Sequence, residues 1–223
     1  MENITQALFD ISVWILPVMS AIILHEIAHG WAALYFGDNT AKRMGRLTLN
    51  PLAHIDRVGT VLLPAFLVLM KSPVVFGYAK PVPVDFGNLS PLRFGTICVA
   101  LAGPFTNLLL AILAGLLWHI EYWINPQQAP WIFQNISNML MINCMLMVFN
   151  LIPILPLDGG RVLVGLFAKN PQTWFAKWDN VGMFIVLFLL FFPSFIGYNI
   201  TGVIIGIPTL WVLEQVVWLT GNA

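Results

Sequence analysis

Long uncharged apolar runs alternate with short polar gaps along the chain, and the lengths of the runs set the elements. Residues 11–36 are enough to cross a bilayer as one helix, with Pro17 tolerated near the start and Gly37 as a stop. Residues 96–118 carry no charge; Gly103-Pro104 and Asn107 interrupt the run, and His119 and Glu121 mark its end. Asn107 needs a hydrogen-bond partner in lipid, so it is expected to face the protein interior. Residues 131–157 hold Asn135, Asn138, Asn143 and Asn150 but no charge. Pro153 and Pro156 then break helical hydrogen bonding, and Asp158-Gly-Gly re-aims the chain. After a short apolar piece at 162–167 comes a polar loop with Lys169, Lys177 and Asp179. The run at 180–213 is too long for one helix, and Pro193, Gly197 and Asn199 divide it into two shorter spans. The pattern predicts an all-α polytopic membrane protein of about six apolar segments, of which four or five cross.

The gap between the first two long spans does not fit a crossing. Residues 58–70 are apolar but number only about thirteen, where a span needs roughly twenty. Residues 72–85 are rich in proline and β-branched side chains, which excludes helix and predicts extended backbone. Together they predict a re-entrant hairpin: a short helix dips into the membrane and the extended segment returns. Extended backbone at that depth is tolerated only where protein or a watery cavity covers its polar groups.

Composition supports the membrane assignment. The chain is 59% hydrophobic and 9% charged, with mean hydropathy +0.83, against about 25% charge in a soluble domain. Net charge is zero and no charged tail points to nucleic acid. The basic loop at 38–57, with Lys42, Arg43, Arg46 and Arg57, is expected to be cytoplasmic, which puts 121–130 outside. The expected organisation is one membrane-embedded unit over 1–223, with its core at 11–167 and a C-terminal helical pair at 180–219. The cell membrane is the expected location.

The candidate chemistry lies inside the first span, at His25-Glu26-x-x-His29. Residues four apart on a helix share a face, so both imidazoles can close on one metal, with Glu26 placed to take a proton from the attacking water. Three ionisable groups on one turn in hydrocarbon cost several kcal/mol without a partner, which weighs against a pair of merely structural histidines. Zinc then lacks a third protein ligand. Asp158 stands out, because leucine and proline precede it and glycines follow it; its plainer role would be a helix N-cap. His54, in a loop beside Asp56 and Arg57, is the rival. The orientation of the basic loop puts this metal nearer the cytoplasmic half.

His25-Glu26-Ile-Ala-His29 and Asn150-Leu-Ile-Pro-Ile-Leu-Pro-Leu-Asp158-Gly-Gly resemble the paired signatures of the site-2 protease family of intramembrane zinc metalloproteases. Gly103-Pro104-x-x-Asn107 is similar to a third family feature. Residues 50–60 and 77–84 resemble the compact subgroup without PDZ or CBS domains, which often has proline where this chain has Arg57. The resemblance covers roughly residues 11–167. It implies one zinc per chain on His25, His29 and Asp158, Glu26 as general base, and transmembrane segments of other proteins as substrates. Asn150 and Asn107 would donate hydrogen bonds to substrate backbone or to the oxyanion. Pro81 and Pro83 blunt one edge of the extended segment, so Tyr78, Lys80, Val82 and Val84 are expected to offer N–H donors to an unwound substrate from the other. Two other classes place such residues in a membrane: a transporter or channel, and a zincin acting on soluble or interfacial peptides. The latter usually takes a downstream Glu as third ligand, and here the only ones are Glu121 and Glu214.

Overall fold

A computed structural model describes residues 2–70, 77–195 and 200–222, and within these it is helical without strands. The elements are α1 (Glu2–Tyr35), α2 (Thr40–Arg43), α3 (Leu63–Leu69), α4 (Leu92–Trp118), α5 (Pro130–Asn150), α6 (Asp158–Phe167), α7 (Pro171–Phe195) and α8 (Ile207–Leu219). Wide π-type turns at Arg57–Leu62 and Gly202–Gly206 lead into α3 and α8. Five helical stretches are long and apolar enough to cross a membrane: Ile4–Tyr35, Leu92–Tyr122, Pro130–Asn150, Pro171–Leu190 and Gly202–Leu219. The chain is an integral multi-pass membrane protein.

α1 buries Val13, Pro17, Ala21 and His25 at intervals of four, and turns Ile11, Trp14, Ile15 and Trp31 outward. Lipid tails are as apolar as those side chains, so their exposure costs nothing; helix contact must come from close packing and polar links. The small residues Ala21, Ala33, Ala100 and Ala111 are fully buried in the bundle. One polar link follows directly from sequence. Pro17 has no N–H for the carbonyl of Val13, and the Asn138 amide of α5 donates to that carbonyl at 2.9 Å.

Two cores occupy opposite ends of the bundle. One gathers Ala33, Phe86, Val99, Leu155, Val164 and Phe175 around the ends of α1 and α6. The other joins Ala111 of α4, Cys144 of α5 and Val216 of α8. α8 runs parallel to α4, because His119 Nε2 meets the Thr220 carbonyl at 2.7 Å and the Asn222 amide donates to Gly115 O at 2.7 Å. The end of the chain therefore sits on the same face as the 119–130 connection.

The region between α1 and α4 leaves and returns at one end of the bundle. Apolar 58–70 becomes a π-type turn and the short α3, and beyond it Asp85 N–H reaches Asp38 and Ser90 N–H donates to Phe36 O at 2.8 Å. Between these points Val82 N–H reaches Glu26, about ten residues, or ~15 Å, along α1 from Phe36. The extended segment therefore lies beside α1 as deep as the histidine motif. Residues 77–85 are extended but form no strand, and 71–76 of the expected extended piece lie outside the described residues.

Several expected boundaries moved. α1 starts at Glu2, since polar residues at its exposed first turns satisfy their own backbone as helix. α5 stops at Asn150, and 151–157 are turns, because Pro153 and Pro156 end the helix sooner than hydropathy does. α7 begins at Pro171, so Lys177 and Asp179, expected in a loop, ride on a helix whose first position suits proline. Pro193 falls inside α7, while Gly197 and Asn199 lie outside the described residues.

Candidate metal centre

His25 and His29 occupy successive turns of α1 on its buried side, with rings 4.6 Å apart at 84° and Nε2 atoms 3.0 Å apart. Asp158 opens α6, and its Oδ2 stands 3.2 Å from Nε2 of His25 and 3.3 Å from Nε2 of His29. The 151–157 turn delivers it there. The turn folds back so tightly that a Cβ on Gly160 would stand 2.4–2.5 Å from the Ile154–Leu155 peptide, so that position admits no side chain. Asp158 does not cap the helix: Leu157 is the N-cap residue and makes no side-chain bond. Nor does Arg161 compete for it. Its guanidinium lies over the rings of Phe86 and Phe175, donates to Pro156 O at 3.2 Å and faces Asp179 at 3.7 Å.

The proton positions decide what this cluster can hold. His29 Nδ1 lies 2.7 Å from the carbonyl of Val99, which can only accept, so Nδ1 carries a proton and, in the neutral imidazole, Nε2 presents a lone pair. His25 Nδ1 lies 2.6 Å from Asn107 Oδ1. The Asn107 amide nitrogen donates to Ala21 O at 3.3 Å, which fixes the amide so that its oxygen faces His25. His25 Nε2 therefore also presents a lone pair. Two lone pairs and a buried carboxylate oxygen without a hydrogen bond converge on one point. Three acceptors in that position repel one another unless a cation lies between them. Ligands about 2.0–2.1 Å from a tetrahedral zinc are themselves ~3.3 Å apart, close to the spacings here. The donor set fits zinc, and among the described residues it is the one group of three or more His, Cys, Asp or Glu able to hold a metal.

Gly103 and Pro104 of α4 explain how the imidazoles fit. A Cβ on Gly103 would stand 2.5 Å from Cε1 and 2.6 Å from Nε2 of His25, and closer still to Nε2 of His29. Only glycine lets the two helices approach this far. Pro104 has no N–H for the Ala100 carbonyl and disturbs that turn of α4, where the neighbouring Val99 carbonyl takes the His29 proton. The motif read along the sequence is a saddle for two histidines.

A cavity of about 320 Å³ opens beside the cluster, lined by Glu26, Pro81, Val84, Ala100, Asn150 and Arg161 among others. Glu26 Oε2 accepts the Val82 N–H at 2.7 Å. Asn150 ties one amide N–H back to Leu146 O at 3.0 Å and keeps the other for the cavity.

Three sequence expectations are corrected. Asn107 is completely buried and its amide is committed to His25, Ala21 and Asn143, so it has no donor for substrate or oxyanion. His54, the rival ligand, is 2% exposed, meets Thr48 O at 2.8 Å and lies outside the cluster, because its loop folds over it. Tyr78, Lys80 and Val82 do not offer free N–H groups. Those groups donate to Gly59 O, His54 O and Glu26, so the edge with donors faces the protein and only Val84 keeps its N–H unbonded. Glu121 and Glu214 are not near the histidines, which removes the usual third ligand of a soluble-substrate zincin. The hydrogen bonds of Asn143 to Asn107 and of Asp38 to the Asp85 N–H were not foreseen. Asn143 looks like any apolar-run asparagine, and only its i+7 relation to Asn150 marked its face.

The family model described as peptidase family M50 matches residues 13–123 and 120–193. The chain is 33% identical over 181 residues to YwhC of Bacillus subtilis, covering 79% of this chain and 78% of that protein. It is 30% identical over 176 residues to Rip2 of Mycolicibacterium smegmatis, covering 79% and 65%. Both carry the provisional name of a zinc metalloprotease. Zinc metalloprotease MJ0392 of Methanocaldococcus jannaschii is 23% identical over 199 residues, and the chain spans 46% of its length. No solved structure gives a significant match.

Proposed function

The chain belongs to peptidase family M50, zinc metalloproteases, and from that premise we propose that it hydrolyses peptide bonds in or beside transmembrane segments of other membrane proteins. The observation that carries this reading is the depth of the site: His25, Glu26 and His29 lie inside an apolar helix about two turns or more from its end. A peptide bond reaching them must come from within the bilayer or be drawn into it. A transporter reading needs no such set of converging lone pairs, and the family is one of hydrolases.

In this reading His25, His29 and Asp158 hold zinc. Held there, the metal would supply a Lewis acid for activating water and polarising the scissile carbonyl. Glu26 takes the water's proton through Oε1, because Val82 N–H fixes Oε2 and with it the carboxylate's direction. Asn150 donates its free amide N–H toward the developing oxyanion. The substrate must unwind, since a helical amide is hydrogen-bonded and shielded from attack. The outward edge of 81–83 then offers carbonyls of Pro81 and Pro83 but no N–H, so that stretch pairs with substrate through acceptors only. The whole chain acts as one unit, in a cell membrane, with the cluster toward the cytoplasmic half.

Two variants test the assignment in purified protein with a transmembrane substrate. Glu26→Gln should retain zinc and lose cleavage by ~10²-fold or more, whereas Asp158→Ala should lose zinc as well. Near-normal turnover in Glu26→Gln, or full zinc content in Asp158→Ala, would refute the roles.

A further inference from the structure

We propose that Asn143 of α5 is a positioning residue for the metal, acting through Asn107 on His25 to hold that imidazole in its metal-binding tautomer. The proposal rests on the reading that His25, His29 and Asp158 hold zinc. It extends that reading to a residue with no contact to the site.

The hydrogen bonds form a chain with one direction. Asn143 Nδ2 donates to the carbonyl of Met139 at 2.8 Å, one turn back on its own helix. A carbonyl only accepts, so the Asn143 amide cannot flip without losing that bond, and its Oδ1 is left facing α4. There it accepts from Asn107 Nδ2 at 2.8 Å. The second proton of that nitrogen goes to Ala21 O on α1. Both Asn107 donors are thereby spent, and its Oδ1 takes the proton of His25 Nδ1. Asn107 and Asn143 are each completely buried, so no water substitutes for a missing partner.

Each step removes one alternative. Without Asn143, Asn107 is held by the longer bond to Ala21 alone, and a flipped amide would present N–H groups to His25. The imidazole would then move its proton to Nε2, the atom that faces Asp158 and His29, and could not ligate. Three helices thus meet in one amide pair whose orientation decides the tautomer of His25. Partners of this kind, outside the ligand set, alter metal affinity by ~10–100-fold.

The test compares Asn143→Ala, Asn143→Asp and Asn107→Leu in the full chain, purified in detergent. Zinc affinity is measured by chelator competition, the site's geometry by visible absorption of the cobalt(II)-substituted protein, and folding by thermal unfolding of the metal-free form. Asn143→Ala should weaken zinc by ~10-fold and alter the cobalt spectrum. Asn143→Asp keeps the acceptor, charged or neutral, and should restore both. In the Asn107→Leu background, Asn143→Ala should weaken zinc no further, because the path is already cut. Lower thermal stability with unchanged zinc affinity and cobalt spectrum would make Asn143 a packing residue only and overturn the proposal, as would additive effects in the double variant. His25→Ala separates the two levels. If it binds zinc like the parent, the ligand assignment itself fails; if it loses zinc while Asn143→Ala does not, only the relay fails.

Discussion

Gly103→Ala adds one methyl group, removes no ligand and touches no predicted catalytic group, yet it should empty the site. The new Cβ would stand 2.5 Å from His25 Cε1 and 2.6 Å from its Nε2. Carbon contacts settle near 3.5–4.0 Å, so either α1 and α4 part by about 1 Å or the imidazoles turn by a similar amount. Metal–ligand distances tolerate about 0.2 Å. A displacement several times that tolerance should weaken zinc by ~100-fold or more, and cleavage with it. The cost to folding is that of ordinary overpacking, about 1–3 kcal/mol, because lipid-facing contacts are unaffected. Gly206→Ala is the control, since a Cβ there meets nothing within 4 Å. Zinc content and chelator competition on both purified variants are the assay. Parent-like zinc affinity in a folded Gly103→Ala protein would refute the saddle argument.

Asp38 offers a pH test away from the membrane-spanning segments. Burial opposes its charge, but the Thr40 hydroxyl and the backbone N–H groups of Asp85 and Thr40 hold its carboxyl below the usual carboxylate range. A depressed folded pKa gives stability above the unfolded value, about 3.9, that is lost as pH falls through the folded one. Thermal unfolding should therefore show Asp38→Asn less stable than the parent at pH 7, with the gap closing below about pH 4; a gap independent of pH would contradict this. For topology, cysteines placed at 43 and 127 should label from opposite sides of the membrane, 43 from the cytoplasm. Labelling of both from one side would overturn the orientation.

The helical class, the membrane setting and the histidine pair were legible because each depends on short-range pattern. Spacing of four on an apolar helix puts His25 and His29 on one face whatever the rest of the chain does. The break after Asn150 was equally local, since Pro153 and Pro156 cannot continue a helix. Asp158 was legible as a candidate ligand only by its odd setting, a carboxylate among leucine, proline and glycine. Boundaries were less so: α7 begins at Pro171, among polar residues that hydropathy assigned to a loop.

What the tertiary structure alone decided is where hydrogen bonds end. Asn107 and Asn150 are the same residue type in similar apolar runs, and sequence gave both the same role. Packing against α1 and α5 consumes every polar atom of Asn107, while Asn150 keeps a donor toward the cavity. Alternation along 78–84 correctly separated two edges of the extended segment, but not which edge faced the protein. The donors proved to be turned inward onto His54, Gly59 and Glu26. A side chain's type and its period along the chain are local properties. Its partners come from helices 36 to 86 residues away, as with Asn107, and only the packed bundle brings those together.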